Sequence, residues 1–72
     1  MDPKVEKVIE NIKFLEKAYG EKHVRLHELF ELCQIEGMSG FTLNRVLDEL
    51  SLAGRIVRPK EGNLVFFDAG VT

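Results

Sequence analysis

The sequence has few of the features that define specialised protein classes. It contains one cysteine, Cys33, and no tryptophan. A single thiol cannot form an internal disulfide or a multi-thiolate zinc site, which fits a reducing compartment. The longest apolar run is Leu64 to Phe67, whereas a membrane-spanning helix needs about 18 such residues. The amino-terminal residues are charged, so we see no export signal. We therefore expect a cytoplasmic protein without membrane contact.

The sequence also lacks a large excess of positive or negative charge. The 72 residues carry 10 Lys plus Arg against 12 Asp plus Glu, a net charge of −2, which argues against a strongly basic protein that binds phosphates in general. Only the segment 55–72 has a positive balance, which comes from Arg55, Arg58 and Lys60. A chain this short buries only about 60% of its unfolded surface. We expect a single domain over residues 1–72, stabilised by apolar packing.

Motifs for catalysis and for metal binding are missing. The sequence has no glycine-rich phosphate loop ending in Lys and Ser or Thr. Cys33 could pair with His23 or His27 as thiol and base, but it shares an apolar face with Leu29 and Leu32, which is typical of a buried small residue. The two histidines lie in a segment with strand alternation, where four residues span about 13 Å and cannot share one ion. We expect no enzymatic activity, no cofactor and no metal.

A first helix is predicted over about residues 3–19. Asp2 can cap its free N–H groups, Pro3 suits its first turn, and Gly20 can end it in the left-handed conformation. Phe14 points away from the apolar face. The alternation of residues 23–27 then predicts one short edge strand. The apolar face of the helix consists of Val5, Val8, Ile9, Ile12, Leu15 and Tyr19.

Two more helices follow from the same periodicity. The second ends at Gly37, and the third is capped by Ser39 and terminated by Gly54. The second helix buries Leu29, Phe30, Leu32, Cys33 and Ile35, and the third buries Leu43, Val46, Leu47 and Leu50.

In the last third of the sequence, the hydrophobic pattern changes from the helical period to that of strands. Residues 55–58 and 64–67 are two strand-like runs. The loop between them contains Pro59, which lacks a ladder donor, and Gly62, which accepts a positive φ. A β-hairpin is predicted here.

The order helix, short strand, helix, helix, hairpin predicts an α+β fold, the winged helix-turn-helix, in which the hairpin is the wing. A further pattern lies in Val46–Leu50, Gly54–Pro59, Gly62 and Leu64. In these residues the sequence resembles the C-terminal winged-helix domain of archaeal minichromosome-maintenance replicative helicases. The opening is similar too, with Val8, Ile12, Leu15, Glu16 and Gly20 before Val24. The ATPase motor of that family is missing from these residues, so the resemblance implies an excised domain or a free-standing relative.

Nucleic-acid contacts are predicted on the third helix and on the wing, because the exposed side of that helix enters the major groove in winged helices and the wing follows the backbone. About three phosphate contacts would give a salt slope of only about −3. Asp48 and Glu49 would repel phosphate. The alternative is that the wing cations are solvated charges on a hairpin edge. The predicted contacts are Thr42, Asn44, Arg45, Arg55, Arg58, Lys60 and Asn63.

A protein contact is predicted from different residues. With the apolar side of the third helix inward, Phe41 and Leu52 fall on the opposite face, with Arg45 and Asp48 between them. Large apolar groups that merge into one exposed patch indicate a contact surface. Phe14, and Val65 with Phe67, are further candidates unless residues 68–72 or a shifted strand register cover them.

The function expected from these features is that of a non-catalytic winged-helix module in DNA transactions. The resemblance implies an accessory, regulatory domain of a replicative helicase, nucleoid-associated in the cytoplasm. Its partners would be double- or single-stranded DNA, bound weakly, and a protein such as a helicase motor or an initiator. The isolated domain is expected to be a monomer. The alternatives are a protein-interaction winged helix without DNA binding, or a stand-alone transcription regulator, which usually dimerises to read two half-sites.

Overall fold

The computed structural model of the chain describes residues 2–59 and 61–67. Three helices and a three-stranded antiparallel sheet make up this part of the chain, which confirms the α+β prediction. The elements in chain order are α1 (Pro3–Tyr19), β1 (His23–Arg25), α2 (Leu26–Ile35), α3 (Gly40–Leu52), β2 (Ile56–Val57) and β3 (Asn63–Phe66).

Helix α1 has the predicted ends. The Asp2 side chain accepts a hydrogen bond from the backbone N–H of Lys4 at 2.9 Å, and Gly20 ends the helix with φ 67°. Phe14 is exposed, as predicted. The placement of Tyr19 on the buried face was wrong: its ring is half exposed, because its hydroxyl donates a hydrogen bond to the Glu28 carboxylate at the surface.

Strand β1 is shorter than predicted. It ends at Arg25, and His27 already lies in α2. The reason is the length of its partner, because Arg25 pairs with Asn63, the first residue of β3. The N–H of Leu26, the first residue of α2, donates to the carbonyl of Gly62 at 2.8 Å, just beyond the paired residues of the two strands.

Helices α2 and α3 are joined by a four-residue turn over residues 36–39. Gly37 lies in this turn with φ 86°. The Ser39 hydroxyl accepts the N–H of Thr42 at 3.2 Å, which confirms the predicted cap. The predicted apolar face of α3 is fully buried. On α2, Leu29 and Cys33 are buried, but Ile35 is exposed at the end of the helix, contrary to the prediction.

The sheet has the strand order β1-β3-β2, so β3 is central and β1 is an edge strand, as predicted. The predicted hairpin is confirmed. Its strands are β2, with two residues, and β3, with four residues, in place of the predicted runs 55–58 and 64–67. Ile56 pairs with Phe66, and Val57 with Val65. The pairing of β1 with β3, in which His23 lies opposite Val65, was not predicted.

The core lies between the inner face of the sheet and the three helices. Leu64 and Phe66 point inward from β3, and Ile56 from β2. On the outer face Val57 is exposed, and Val65 and Phe67 are half-buried. The residues 68–72, which were considered as a cover for this face, lie outside the described residues. No helix in the described part of the chain is long and apolar enough to cross a membrane.

Candidate functional site

The base of the hairpin holds Arg55 in place. Its N–H donates to the Leu50 carbonyl at 2.8 Å, and its own carbonyl accepts the N–H of Phe67 at 2.7 Å. Its guanidinium carbon lies 5.2 Å from the centroid of the Phe66 ring, within the range of a cation–π contact. Arg55 is therefore a half-buried residue whose side chain packs on the core.

The turn of the hairpin presents Arg58. This residue directly follows β2 and is exposed. Its neighbour Lys60 lies outside the described residues. Asn63 is half-buried and lies opposite Arg25 in the sheet. The hairpin therefore separates the predicted contacts, with Arg58 at the turn and Asn63 at the start of the central strand.

The predicted polar contacts on α3 do not share one environment. Thr42 is half-buried, and its hydroxyl lies 3.1 Å from the Ser39 hydroxyl in the helix cap. Arg45 is exposed and borders a shallow groove of about 180 Å³. Asn44 is exposed but does not line that groove. The groove lies between α3 and the start of α1, and its lining is Asp2, Lys4, Thr42, Arg45, Val46 and Glu49.

The outward stripe of α3 is exposed to solvent along its whole length. We define this stripe as Phe41, Arg45, Asp48 and Leu52. Phe41 is 74% exposed and Leu52 is 90% exposed, which confirms their predicted outward orientation. The two lie eleven residues apart, or about 16 Å along the helix axis. Arg45 and Asp48 are the exposed residues between them on the same side of the helix.

Ion pairs occupy several cations elsewhere in the domain. Lys7 binds Glu36 at 2.8 Å, and Asn11 donates to the same carboxylate at 2.6 Å. The Lys7 and Asn11 contacts lower the pKa of Glu36, and the Glu36 carboxylate raises the pKa of Lys7. Arg25 lies 3.7 Å from Glu28. Within residues 2–59 and 61–67, no ion pair involves Arg45 or Arg58.

One residue near the hairpin was missed by sequence reasoning. The Lys13 ammonium lies 5.9 Å from the centroid of the Phe66 ring, so Lys13 and Arg55 both lie against that ring. Nothing in the sequence indicates this contact, because it joins α1 to a strand more than fifty positions away. The Phe66 ring therefore contacts one basic side chain from α1 and one from the start of the hairpin.

The thiol and imidazole groups are not assembled into a site. Cys33 is fully buried; burial raises the pKa of its thiol, and the Asn11 amide donates to its sulfur at 3.4 Å. His23 and His27 are both exposed, one on β1 and one on α2. In the described residues, His, Cys, Asp and Glu form no group of three that could hold a metal ion.

Comparison with known proteins gives no match to a family model, to a curated protein or to a solved structure. Function is therefore inferred from the geometry of the described residues.

Proposed function

We propose that this chain is a non-catalytic winged-helix module that acts in DNA transactions and contacts DNA weakly through its hairpin, the wing. The observation that carries this proposal is the connection of the elements. The turn with Gly37 joins α2 to α3, and the β2–β3 hairpin follows α3 directly. Its second strand also pairs with β1. A helix-turn-helix extended by such a ribbon is typical of winged helices.

The wing is the better supported DNA contact. Arg58 is exposed at its turn, and Lys60 is two positions further along the chain. Arg55 and Lys13 lie against the Phe66 ring at its base, and the proposal does not depend on them. About three phosphate contacts correspond to weak binding with a salt slope of about −3. Asn63 remains a predicted contact from the first position of β3.

The outer side of α3 supports a protein contact better than a place in the major groove. Thr42, Asn44 and Arg45 remain predicted DNA contacts, but the stripe that would enter the groove carries Phe41 and Leu52 at its ends. Asp48 and Glu49 lie on the same exposed side and would repel phosphates. Phe41 and Leu52 lie about 16 Å apart with Arg45 and Asp48 between them, so they form two separate apolar anchors for a protein partner and not one merged patch.

The family resemblance extends the proposal to an accessory role beside a replicative helicase, with a helicase motor or an initiator as the protein partner. The second candidate function is a protein-interaction winged helix without DNA binding. The exposed apolar ends of the α3 stripe favour it specifically. The two functions differ in one respect, which is whether the wing binds DNA.

A titration with DNA distinguishes them. Isotope-labelled protein is mixed with short duplex or single-stranded DNA at low salt, and backbone amide shifts are followed. We expect shifts to concentrate on residues 56–66. Arg58→Ala and Lys60→Ala should each weaken binding and reduce the salt slope by about 1.

The matched control is Lys17→Ala, which removes one exposed positive charge from α1 and should leave the wing shifts unchanged. Absence of any shift with millimolar DNA at low salt rejects the DNA proposal and leaves the protein-interaction function. Equal weakening by the control and by the wing variants would show that the binding is only a general attraction to positive charge.

A further inference from the structure

The outward stripe of α3 has the spacing of a helix-pairing seam. Its residues Phe41, Arg45, Asp48 and Leu52 follow one another at intervals of four, three and four. This interval is the alternation of the two seam positions in a coiled coil. All four side chains are exposed, and none belongs to the core of the domain. The seam is therefore a second contact face on a helix that already buries its opposite side.

The order of residues along the stripe is complementary to itself when reversed. A twofold axis through the point midway between residues 46 and 47 places Phe41 of one copy opposite Leu52 of a second copy. The same axis places Arg45 opposite Asp48. On the two edges of the stripe, the nearest facing residues are Asn44 with Ser51 of the second copy, and the half-buried Thr42 with Glu49 of the second copy. Each facing pair is apolar, oppositely charged or able to form a hydrogen bond.

We infer that α3 pairs antiparallel with α3 of a second copy of this chain, forming a twofold-symmetric dimer. An interface of this kind brings the same patch of both subunits together, so the patch must complement itself. The stripe meets that condition in charge and in apolarity. A parallel pairing would place Arg45 against Arg45 and Asp48 against Asp48, and the repulsion selects the antiparallel arrangement.

The contact is small, and this determines how the dimer behaves. Helix α3 has 13 residues and is about 20 Å long. One face of it buries less than the 1,200–2,000 Å² of a standard interface. The dimer should therefore form only at high micromolar to millimolar concentration. The expected monomer is then the form that dominates at lower concentration.

The inference goes beyond the proposed function and does not depend on DNA binding. Each dimer carries two wings. If the wing binds DNA, the second DNA contact of a dimer becomes intramolecular once the first has formed. In the dimer the outer side of α3 is covered, so a DNA contact of Thr42, Asn44 and Arg45, or a contact of α3 with another protein, is available only to the monomer.

The test is sedimentation equilibrium with NMR at increasing concentration of the full chain. The apparent mass should rise from 8.2 kDa towards twice that value, and amide shifts should concentrate on residues 41–52. Arg45→Asp alone and Asp48→Arg alone should each reduce association by at least about tenfold, because each places like charges opposite one another twice per dimer.

The charge-swapped double variant R45D/D48R should recover association, and so should an equimolar mixture of the two single variants. The matched control is Ile35→Asp, which places an acid at another site of similar exposure, 82%, away from α3, and should associate as the unchanged chain does. Circular dichroism should show every variant folded, since the changed side chains are exposed.

Orientation is tested by oxidising a mixture of Phe41→Cys and Leu52→Cys. Mixed disulfides should dominate, because antiparallel pairing separates like positions by about 16 Å, whereas a disulfide requires Cα atoms within about 7 Å. The natural Cys33 is buried and does not compete. A monomer at millimolar concentration overturns the inference, as does association that neither the charge variants nor Phe41→Asp weakens. The wing shifts with DNA are read separately and are unaffected by that outcome.

Discussion

Replacing Phe66 with alanine removes the largest fully buried side chain of the described residues. Removing a buried aromatic ring costs about 3–5 kcal/mol of unfolding free energy. A domain of 72 residues has a total of only about 4–11 kcal/mol, at about 0.05–0.15 kcal/mol per residue. The variant should therefore lose a large part of its stability, and its melting temperature should fall by at least about 12 °C.

Phe14→Ala is the matched control. It makes the same chemical change on α1, where the ring is 61% exposed and alanine is a favourable helix residue, so the loss should stay within about 0.5 kcal/mol. Phe66→Leu keeps part of the buried volume and should lie between the two, which keeps the comparison measurable if Phe66→Ala does not fold.

The assay is urea unfolding followed by far-ultraviolet circular dichroism, since the chain has no tryptophan and one tyrosine. If Phe66→Ala loses less than about 1 kcal/mol, β3 does not pack on the helices as described. The inner face of the sheet would then not be packed against the helices, and the placement of the hairpin beside α3 would be refuted.

Three further results are expected. Cys33 should react with a thiol reagent far more slowly in the folded chain than in urea, because burial both covers the sulfur and raises its pKa; rapid labelling of the folded chain would contradict its placement. Glu36 has a lowered pKa beside Lys7, so its stabilising effect is present above its ordinary pKa of 4.5 and is lost as the pH falls through the lowered value. Urea unfolding from pH 6 to about pH 3 should therefore cost the unchanged chain more stability than Glu36→Gln, and parallel losses would show that this pair does not act. Gly62→Ala should cost about 1–2 kcal/mol of unfolding free energy, because its φ of 81° disfavours a side chain although the space around it is open; an unchanged urea midpoint would show that the turn adopts another conformation.

The sequence predicted the helices well because helix signals are local. Asp2, Gly20 and Ser39 act within their own turns, and the apolar period of α3 requires no knowledge of its neighbours. Tyr19 was misplaced because the residue that decides its position, Glu28, lies on another element.

The sheet was predicted less completely for a related reason. Alternation identified the strand residues, but the length of β1 depends on where β3 begins, at Asn63. The candidate site shows the same division. The exposure of Phe41 and Leu52 follows from the helical period, whereas the packing of Arg55 on Phe66 joins the residue before β2 to β3 and could be seen only in the folded chain.

The central position of β3 affects how this domain is made in the cell. Strand β1 emerges from the ribosome before residues 63–66, yet within residues 2–59 and 61–67 its only strand neighbour is β3. Until that strand is released from the exit tunnel, the helices have no sheet to cover their apolar faces. Synthesis and final folding are therefore separate events for this chain. A nascent chain stalled before Asn63 should remain sensitive to protease, and one in which an added carboxyl-terminal linker carries Phe66 out of the exit tunnel should become resistant.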